Sequence, residues 1–207
     1  MVGTIRPVVY REKQFFNWII AAGLHVLGNL AAAGVMGYIL GLVGHLLSSV
    51  INSDRTFTFI GLGVTSLAYA LHELHFLQMP YPQILAQVPA SWRRRFHPYL
   101  TSLLYGLGLG VGITTRIATG GIYIVLLGAF LSASPFYGAV IFSGFGLGRG
   151  ISAMLAGWII REAQSGEALH NALEVLMARE SLVHKIIGVI LMIFSGYWLL
   201  AGLQYFL

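Results

Sequence analysis

Long apolar runs, separated by short polar loops, dominate the chain. Five stretches reach the roughly 20 apolar residues that a helix needs to cross the ~30 Å hydrocarbon core of a bilayer. They cover approximately residues 18–50, 57–77, 99–131, 136–160 and 186–207. The pattern predicts an all-α integral membrane protein with about five transmembrane helices. A tail over residues 1–17 precedes a single transmembrane domain over residues 18–207.

The composition agrees with a surface that faces lipid. Only 9% of the 207 residues are charged and 57% are hydrophobic, whereas soluble domains are about 25% charged. The chain contains no cysteine. This excludes disulfides, thiolate metal sites and thiol-disulfide oxidoreductase activity, so any redox chemistry would need a bound cofactor.

The basic residues predict an orientation. If the chain crosses the membrane five times, only Arg55 lies on one side, and the other loop residues share the opposite side: Arg6, Arg11, Lys13, Arg93, Arg94, Arg95, Arg161, Arg179 and Lys185. This distribution explains the net charge of +5 as a topology signal, with no nucleic-acid partner. It predicts a cytoplasmic N-terminus and an external C-terminus, in a bacterial inner (cytoplasmic) membrane. The first apolar run is too long for a cleavable signal peptide, so we interpret it as a retained anchor.

The segment at about residues 164–181 alternates apolar and charged positions. It is either an amphipathic helix on the cytoplasmic membrane surface or a solvated helical connector.

Glycines recur at every second position in two spans, where they favour close helix packing. The third span is also long enough to tilt, to protrude or to be broken by its glycines. The predicted packing positions are Gly106, Gly108, Gly110 and Gly112 in the third span, and Gly144, Gly146, Gly148 and Gly150 in the fourth.

Two arginines are predicted near the bilayer centre. Arg116 lies midway along the third span and Arg149 midway along the fourth, where each costs ~2.5–3.5 kcal/mol unless it is compensated. One interpretation is an anion site or a docking site for an acidic partner group, formed by these arginines with Thr114, Thr115 and the intramembrane acid Glu73. The alternative is a structural role, with each guanidinium hydrogen-bonded to carbonyls exposed at the glycine-rich breaks.

Four histidines are candidate cofactor ligands. His72 and His75 flank Glu73 on neighbouring faces of one helix, which suits either a metal or haem site or a polar cap in which Glu73 pairs with an arginine. His25 and His45 lie twenty residues apart, too far to be two ligands of one haem, but each could bind one haem or chlorin with a ligand from another helix. The sequence itself requires no metal and no cofactor.

Short motifs from about residue 21 onward resemble the transmembrane domain of the CcdA and DsbD type. They are the glycine-rich run 104–112 leading into Thr114-Thr115-Arg116, the turn 132–135, the FGLGRG sequence at 145–150, and the KIIGVIL sequence at 185–191 before Gly196-Tyr197. The resemblance implies a CcdA/LysE-like bundle built from two inverted three-helix repeats. In that family a cysteine pair passes electrons across the membrane.

This sequence departs from the family pattern in two ways. It begins at the counterpart of the second helix, and threonines and an arginine occupy residues 113–118, where the other cysteine is expected. We therefore expect an incomplete 3+3 repeat without the family's redox activity. A groove beside the third span would then be filled by a helix of another subunit or by a second copy of the chain.

Three functions remain open on the sequence. The first is a non-catalytic accessory or assembly subunit of a larger membrane complex. The second is a small-solute or anion transporter with a midplane site at Arg116 and Arg149. The third is a haem- or chlorin-binding membrane protein that uses His25, His45, His72 or His75.

Overall fold

The computed structural model describes residues 15–51, 55–80, 91–112, 119–162, 171, 174–175 and 178–206. All regular secondary structure in these ranges is helical, which confirms the all-α prediction. The helices are α1 (Phe15–Ile51), α2 (Arg55–Glu73), α3 (Trp92–Arg95), α4 (Pro98–Gly110), α5 (Gly121–Leu131), α6 (Pro135–Glu162) and α7 (Glu180–Phe206). Most of the predicted amphipathic segment 164–181 lies outside the described residues.

Three of these helices contain segments long and apolar enough to cross a membrane: Asn17–Ser48, Pro135–Ala156 and Glu180–Tyr205. Helix α5 is apolar but shorter. Large apolar side chains project outward from the long helices; Leu27 of α1 and Ile193 of α7 are 58% and 68% exposed. Because such faces are stable only against hydrocarbon, the chain is an integral membrane protein.

The third predicted span contains two separate helices, α4 and α5. Pro98 begins α4, at a position where its missing N–H costs nothing. The helix ends at Gly110. Gly112, two residues later, has a φ of 83°, the left-handed conformation that glycine adopts without strain. The N–H of Gly112 returns to the carbonyl of Leu109 at 3.1 Å, as in a helix C-terminus. Residues 113–118, which follow, lie outside the described residues.

The contacts divide the chain into two units. The first comprises Met1–Met36, Ile84–Arg116 and Ser143–Ala178. Within it, Gly106 and Gly110 of α4 lie against the backbone of α1, at His25 and Asn29. A Cβ at either glycine would collide with a main-chain carbonyl of α1, so these helices approach more closely than any side chain allows.

An aromatic cluster stabilises one end of this first unit. Trp18 is buried with Ala21 and Ala22, and Tyr99 and Met154 pack against them. The Trp18 ring meets that of Trp158 edge to face, with 5.6 Å between centroids, a favourable aromatic geometry.

The second unit comprises Gly37–Gln83, Ile117–Phe142 and Arg179–Leu207. Helices α2 and α7 pair in it through two serine hydroxyls. Ser66 donates to the carbonyl of Leu191 at 2.8 Å, and Ser195 donates to the carbonyl of Gly63 at 2.9 Å. These bonds satisfy buried polar groups while joining the two helices, because each hydroxyl bonds to the other helix.

The core of the second unit contains a tyrosine pair. Tyr69 of α2 stacks on Tyr123 of α5, with centroids 4.9 Å apart. Tyr69 also packs with Ala70 and Leu191. This core positions the end of α2, the start of α5 and the first turns of α7 within one polar cluster.

Candidate functional site

The side chain of Glu73, at the last residue of α2, lies inside the second unit. Glu73 is only 1% exposed. Its Oε1 accepts a hydrogen bond from the backbone N–H of Gly120 at 2.6 Å. Gly120 directly precedes α5, so the carboxylate lies at the N-terminal end of a helix, which carries partial positive charge.

His184 of α7 contacts the other oxygen of this carboxylate. Its Nδ1 is bonded to Oε2 of Glu73, and its Nε2 lies 3.9 Å from Oε1 of Glu180. The His184 side chain is 22% exposed and that of Glu180 is 72% exposed. Glu180, His184 and Glu73 therefore form a series of three ionisable groups, from the exposed Glu180 to the buried Glu73. We call Glu73, Gly120, Glu180 and His184 the Glu73 cluster.

A glycine on α7 allows this approach. Gly188 lies one turn after His184, and a Cβ there would be 2.7 Å from Cγ of Leu74 and 3.2 Å from Cβ of Glu73. A side chain at this position would push the end of α2 away from α7. Gly188 is therefore as much a part of the cluster's geometry as the charged groups.

His72 and His75 lie beside this cluster but have separate contacts. Nδ1 of His72 accepts the backbone N–H of Met79 at 2.8 Å, which holds the turn that follows α2. His75 is exposed, has a φ of 65°, and its ring centroid lies 6.5 Å from that of His184. Within the described ranges, no group of three or more histidine or acidic side chains is arranged so that it could hold a metal ion.

The first unit holds a second polar feature, at His25 and Asn29. The two residues are 7% and 0% exposed. Nδ1 of His25 faces the carbonyl of Ser102 at 3.3 Å, which assigns the ring proton to Nδ1 and leaves Nε2 as an acceptor. Neither Nε2 of His25 nor the carboxamide of Asn29 has a hydrogen-bond partner among the described residues.

Glycines of α6 surround the Asn29 side chain. A Cβ at Gly146 would lie 3.4 Å from Oδ1 of Asn29, and a Cβ at Gly150 would lie 3.4 Å from its Nδ2. Helices α4 and α6 thus both contact α1 at this residue, one at its backbone and the other at its carboxamide. By contrast, His45, further along α1, is exposed.

Arg149 of α6 contacts the end of α4. Its Nη1 donates to the carbonyl of Leu109 at 3.5 Å, and its Cζ lies 6.0 Å from the centre of the Phe145 ring. Leu109 is in the last turn of α4, where a cation is favoured, and its carbonyl also accepts the N–H of Gly112. Of the other members of the predicted anion site, Arg116, Thr114 and Thr115 lie outside the described residues, and Glu73 belongs to the Glu73 cluster.

The predicted packing glycines differ in their surroundings. Gly106, Gly110, Gly146 and Gly150 lie at the contacts with α1, whereas a Cβ at Gly144 or Gly148 would meet no atom within 4 Å. Gly112 lies two residues beyond the end of α4, and Gly108 lies within that helix.

Sequence reasoning missed His184 and Asn29. His184 lies on the predicted cytoplasmic side, as Glu73 does, and it occurs one turn after Glu180 at the start of an apolar run. That shared depth was a usable signal for a pair. Asn29 is a lone amide inside the first apolar run, and a polar group there needs a partner or a function.

The family of the chain follows from its sequence matches. A family model described as the cytochrome c biogenesis protein transmembrane region matches residues 9–198. The chain belongs to this family. The expected resemblance is thereby confirmed over nearly the whole sequence.

The chain is similar in sequence to several curated proteins that share one name. The chain is 34% identical over 151 residues to methylamine utilization protein MauF of Paracoccus versutus, covering 72% of this chain and 54% of that protein. It is 34% identical over 146 residues to MauF of Methylorubrum extorquens, covering 70% and 50%. For MauF of Methylophilus methylotrophus, the identity is 36% over 133 residues, covering 64% and 46%. The chain thus matches about half the length of these relatives, and no solved structure matches it.

The absence of cysteine is notable in a member of this family. The resemblance implies electron transfer through a cysteine pair, yet none of the 207 residues is cysteine. This sequence therefore keeps the helical scaffold of a cytochrome c biogenesis protein without the thiols.

Proposed function

We propose that this chain is a non-catalytic accessory or assembly subunit of a larger membrane protein complex, in methylamine utilization or a comparable pathway. The observation that carries the proposal is a thiol-electron-transfer scaffold whose sequence has no thiol. The pathway is suggested by the name of the MauF relatives. On this proposal, the bundle acts by binding lipid and other membrane subunits.

The close packing of the described helices supports a scaffolding role. In the first unit, α4 contacts the backbone of α1 through Gly106 and Gly110. In the second unit, Gly37 and Gly138 bring α1 and α6 together in the same way. Because backbones in contact leave little room for rearrangement, such helices present fixed outer faces to partners.

The test combines co-purification with deletion. The tagged chain is isolated from native membranes of cells grown with and without methylamine, and a deletion strain is complemented with the wild-type gene. We expect membrane subunits to co-purify in a fixed ratio, and those same subunits to fall in amount in the deletion strain although their transcripts persist. A deletion strain with unchanged membrane complexes, or a purified chain that performs a complete activity alone, would refute the proposal.

For Arg149 we propose a structural role in place of the anion site. Its guanidinium donates to the carbonyl of Leu109 in the last turn of α4, and this contact offsets the cost of burying the charge. This contact favours the accessory function over an anion transporter with a midplane site.

We propose further that the chain lies in the bacterial inner membrane with its N-terminus in the cytoplasm, from the distribution of Lys and Arg in the loops. The absence of native cysteine makes this testable with single introduced thiols. Gln78→Cys follows the predicted cytoplasmic end of α2, and Ala133→Cys lies in the predicted outer turn. A membrane-impermeant maleimide added to intact spheroplasts is expected to label only Ala133→Cys, and the reverse pattern would invert the topology.

A further inference from the structure

The Glu73 cluster has a property that an accessory role does not require. His184 places an imidazole between two carboxylates, with Nδ1 on Glu73 and Nε2 facing Glu180. The Glu73 carboxylate is enclosed by protein, whereas the Glu180 side chain is 72% exposed. Chains of acidic groups and histidines at membrane-protein interiors are the usual elements of proton paths.

We propose that the Glu73 cluster is a proton-binding site, in which one proton reaches the Glu73 carboxylate through Glu180 and His184 and weakens the contact between Glu73 and the start of α5. This inference does not rest on the accessory function. It assigns a proton as ligand to a buried group, whatever complex the chain belongs to.

The transfer balances with the groups present. His184 begins neutral, with its proton on Nδ1 directed at Oε2 of Glu73. Glu180 takes a proton from water and passes it to Nε2, and the Nδ1 proton passes to Oε2. This leaves Glu180 ionised again, Glu73 neutral and His184 with its proton on Nε2. Because His184 is partly exposed, exchange with water returns the ring to its first tautomer.

Protonation of Glu73 weakens its hydrogen bond to the N–H of Gly120. As a carboxylate it accepts the N–H of Gly120 and lies at the positive end of α5. A hydrogen bond to an ionised acceptor is about twice as strong as one to a neutral acceptor, and the helix terminus favours only the charged form. A proton on Glu73 therefore weakens the attachment of α5 to α2.

Among the described residues, other ionisable groups near the cluster lie on α2 and α7. On α2, His72 is bonded to the N–H of Met79, and His75 is exposed with its ring 6.5 Å from that of His184. On α7, Lys185 is exposed beside His184. Helix α5 carries no acidic, basic or histidine residue. Its one titratable side chain is that of Tyr123, which stacks on Tyr69.

The first measurement is an infrared pH titration of the full chain in lipid nanodiscs. We expect a carbonyl stretching band from the buried Glu73 acid to grow as the pH falls. This band should be missing in Glu73→Gln, over the background that the other Asp and Glu side chains contribute to both proteins. Glu174→Gln, which replaces an exposed acid of the preceding segment, serves as the matched control and should retain the band. Loss of the band in the control, its persistence in Glu73→Gln, or its absence from the wild type would overturn the proposal.

The second measurement is the rate at which this band appears after a pH jump. His184→Gln keeps a polar side chain but cannot relay a proton. The band should therefore appear at least about tenfold more slowly in this variant than in the wild type. In Glu180→Gln, a substitution at an exposed position, the band should also appear more slowly than in the wild type and in Glu174→Gln. Equal rates in the wild type and Glu180→Gln, or in the wild type and a folded His184→Gln, would overturn the relay.

The third measurement tests the coupling to α5. At constant pH, Glu73→Gln represents the neutral side chain, and amide hydrogen exchange over the first turn of α5 should be about fivefold faster than in the wild type. Exchange in α6 serves as the internal reference and should be unchanged. Equal protection of the α5 start in both proteins would show that protonation does not loosen this contact.

Discussion

Gly37 of α1 and Gly138 of α6 face each other's main chain in the second unit. A Cβ on either residue would collide with the carbonyl oxygen of the other. Since a carbonyl in a helix cannot swing aside as a flexible side chain can, only glycine at both positions permits this contact. The relationship explains why two apolar helices without hydrophobic driving force between them can pack at a defined place.

Gly138→Ala should therefore destabilise the protein. We expect a loss of about 1–3 kcal/mol in the free energy of unfolding, because the added methyl group forces the two backbones apart. Reversible unfolding in detergent micelles, followed by circular dichroism, measures the change.

Gly144→Ala on the same helix is the matched control for that substitution. A Cβ at Gly144 meets nothing within 4 Å, so the change should be neutral or stabilising by up to about 1 kcal/mol through helix propensity. Equal losses at both positions would contradict the assigned contact.

Ser66→Ala and Ser195→Ala should each weaken the pairing of α2 with α7. Each removes one interhelical hydrogen bond to a backbone carbonyl, and such bonds in membrane proteins contribute about 0.6 kcal/mol on average and up to about 1.7 kcal/mol. Unfolding measurements on the two variants give these values directly.

Ser152→Ala separates an interhelical bond from an intrahelical one. The hydroxyl of Ser152 donates to the carbonyl of Gly148 in its own helix, so its removal should change stability by less than about 0.5 kcal/mol. A loss at Ser152 as large as at Ser66 would mean that helix pairing is not the source of the effect.

Asn29→Ala should stabilise the protein or leave its stability unchanged. The carboxamide has no hydrogen-bond partner among the described residues, and an unsatisfied buried polar group costs about 1–3 kcal/mol. Thermal unfolding in nanodiscs tests this. A loss of more than about 1 kcal/mol would show that Asn29 makes a bond to some group that these contacts do not include.

Arg149→Gln should cost about 1–3 kcal/mol of stability, because the hydrogen bond from the guanidinium to the carbonyl of Leu109 is lost. Neither the wild type nor this variant should be stabilised by added phosphate or sulfate. Thermal shifts with and without each anion measure both effects. Anion-dependent stabilisation of the wild type that Arg149→Gln abolishes would favour the transporter function instead.

Much of the architecture could be read from the sequence because it depends on one-dimensional quantities. The length of an apolar run decides whether a helix can cross a bilayer, and the long runs around residues 18–50, 136–160 and 186–207 correspond to α1, α6 and α7. The glycine spacing indicated where α4 and α6 could approach another helix. It could not distinguish Gly146, where a Cβ would meet Ala33 and Asn29, from Gly144, where a Cβ would meet no described atom within 4 Å.

The candidate site was only half predictable for a related reason. Glu73 stands out in a sequence with few charges, since an acid inside an apolar run must be compensated. Which group compensates it depends on the rotation of α7 about its axis. Neighbouring residues of a helix lie about 100° apart around the axis, so rotating α7 by that angle would bring Lys185 to the position of His184.

The sequence by itself determined that the protein is a helical membrane protein of the cytochrome c biogenesis family without cysteine, because composition, run length and motif matches need no knowledge of contacts. Only the tertiary structure decided that His184 meets Glu73, residues separated by 111 positions, and that Gly120 donates a hydrogen bond to the same carboxylate. The physical reason is that bilayer insertion acts on each segment separately, whereas the pairing of buried polar groups is decided when the helices pack together.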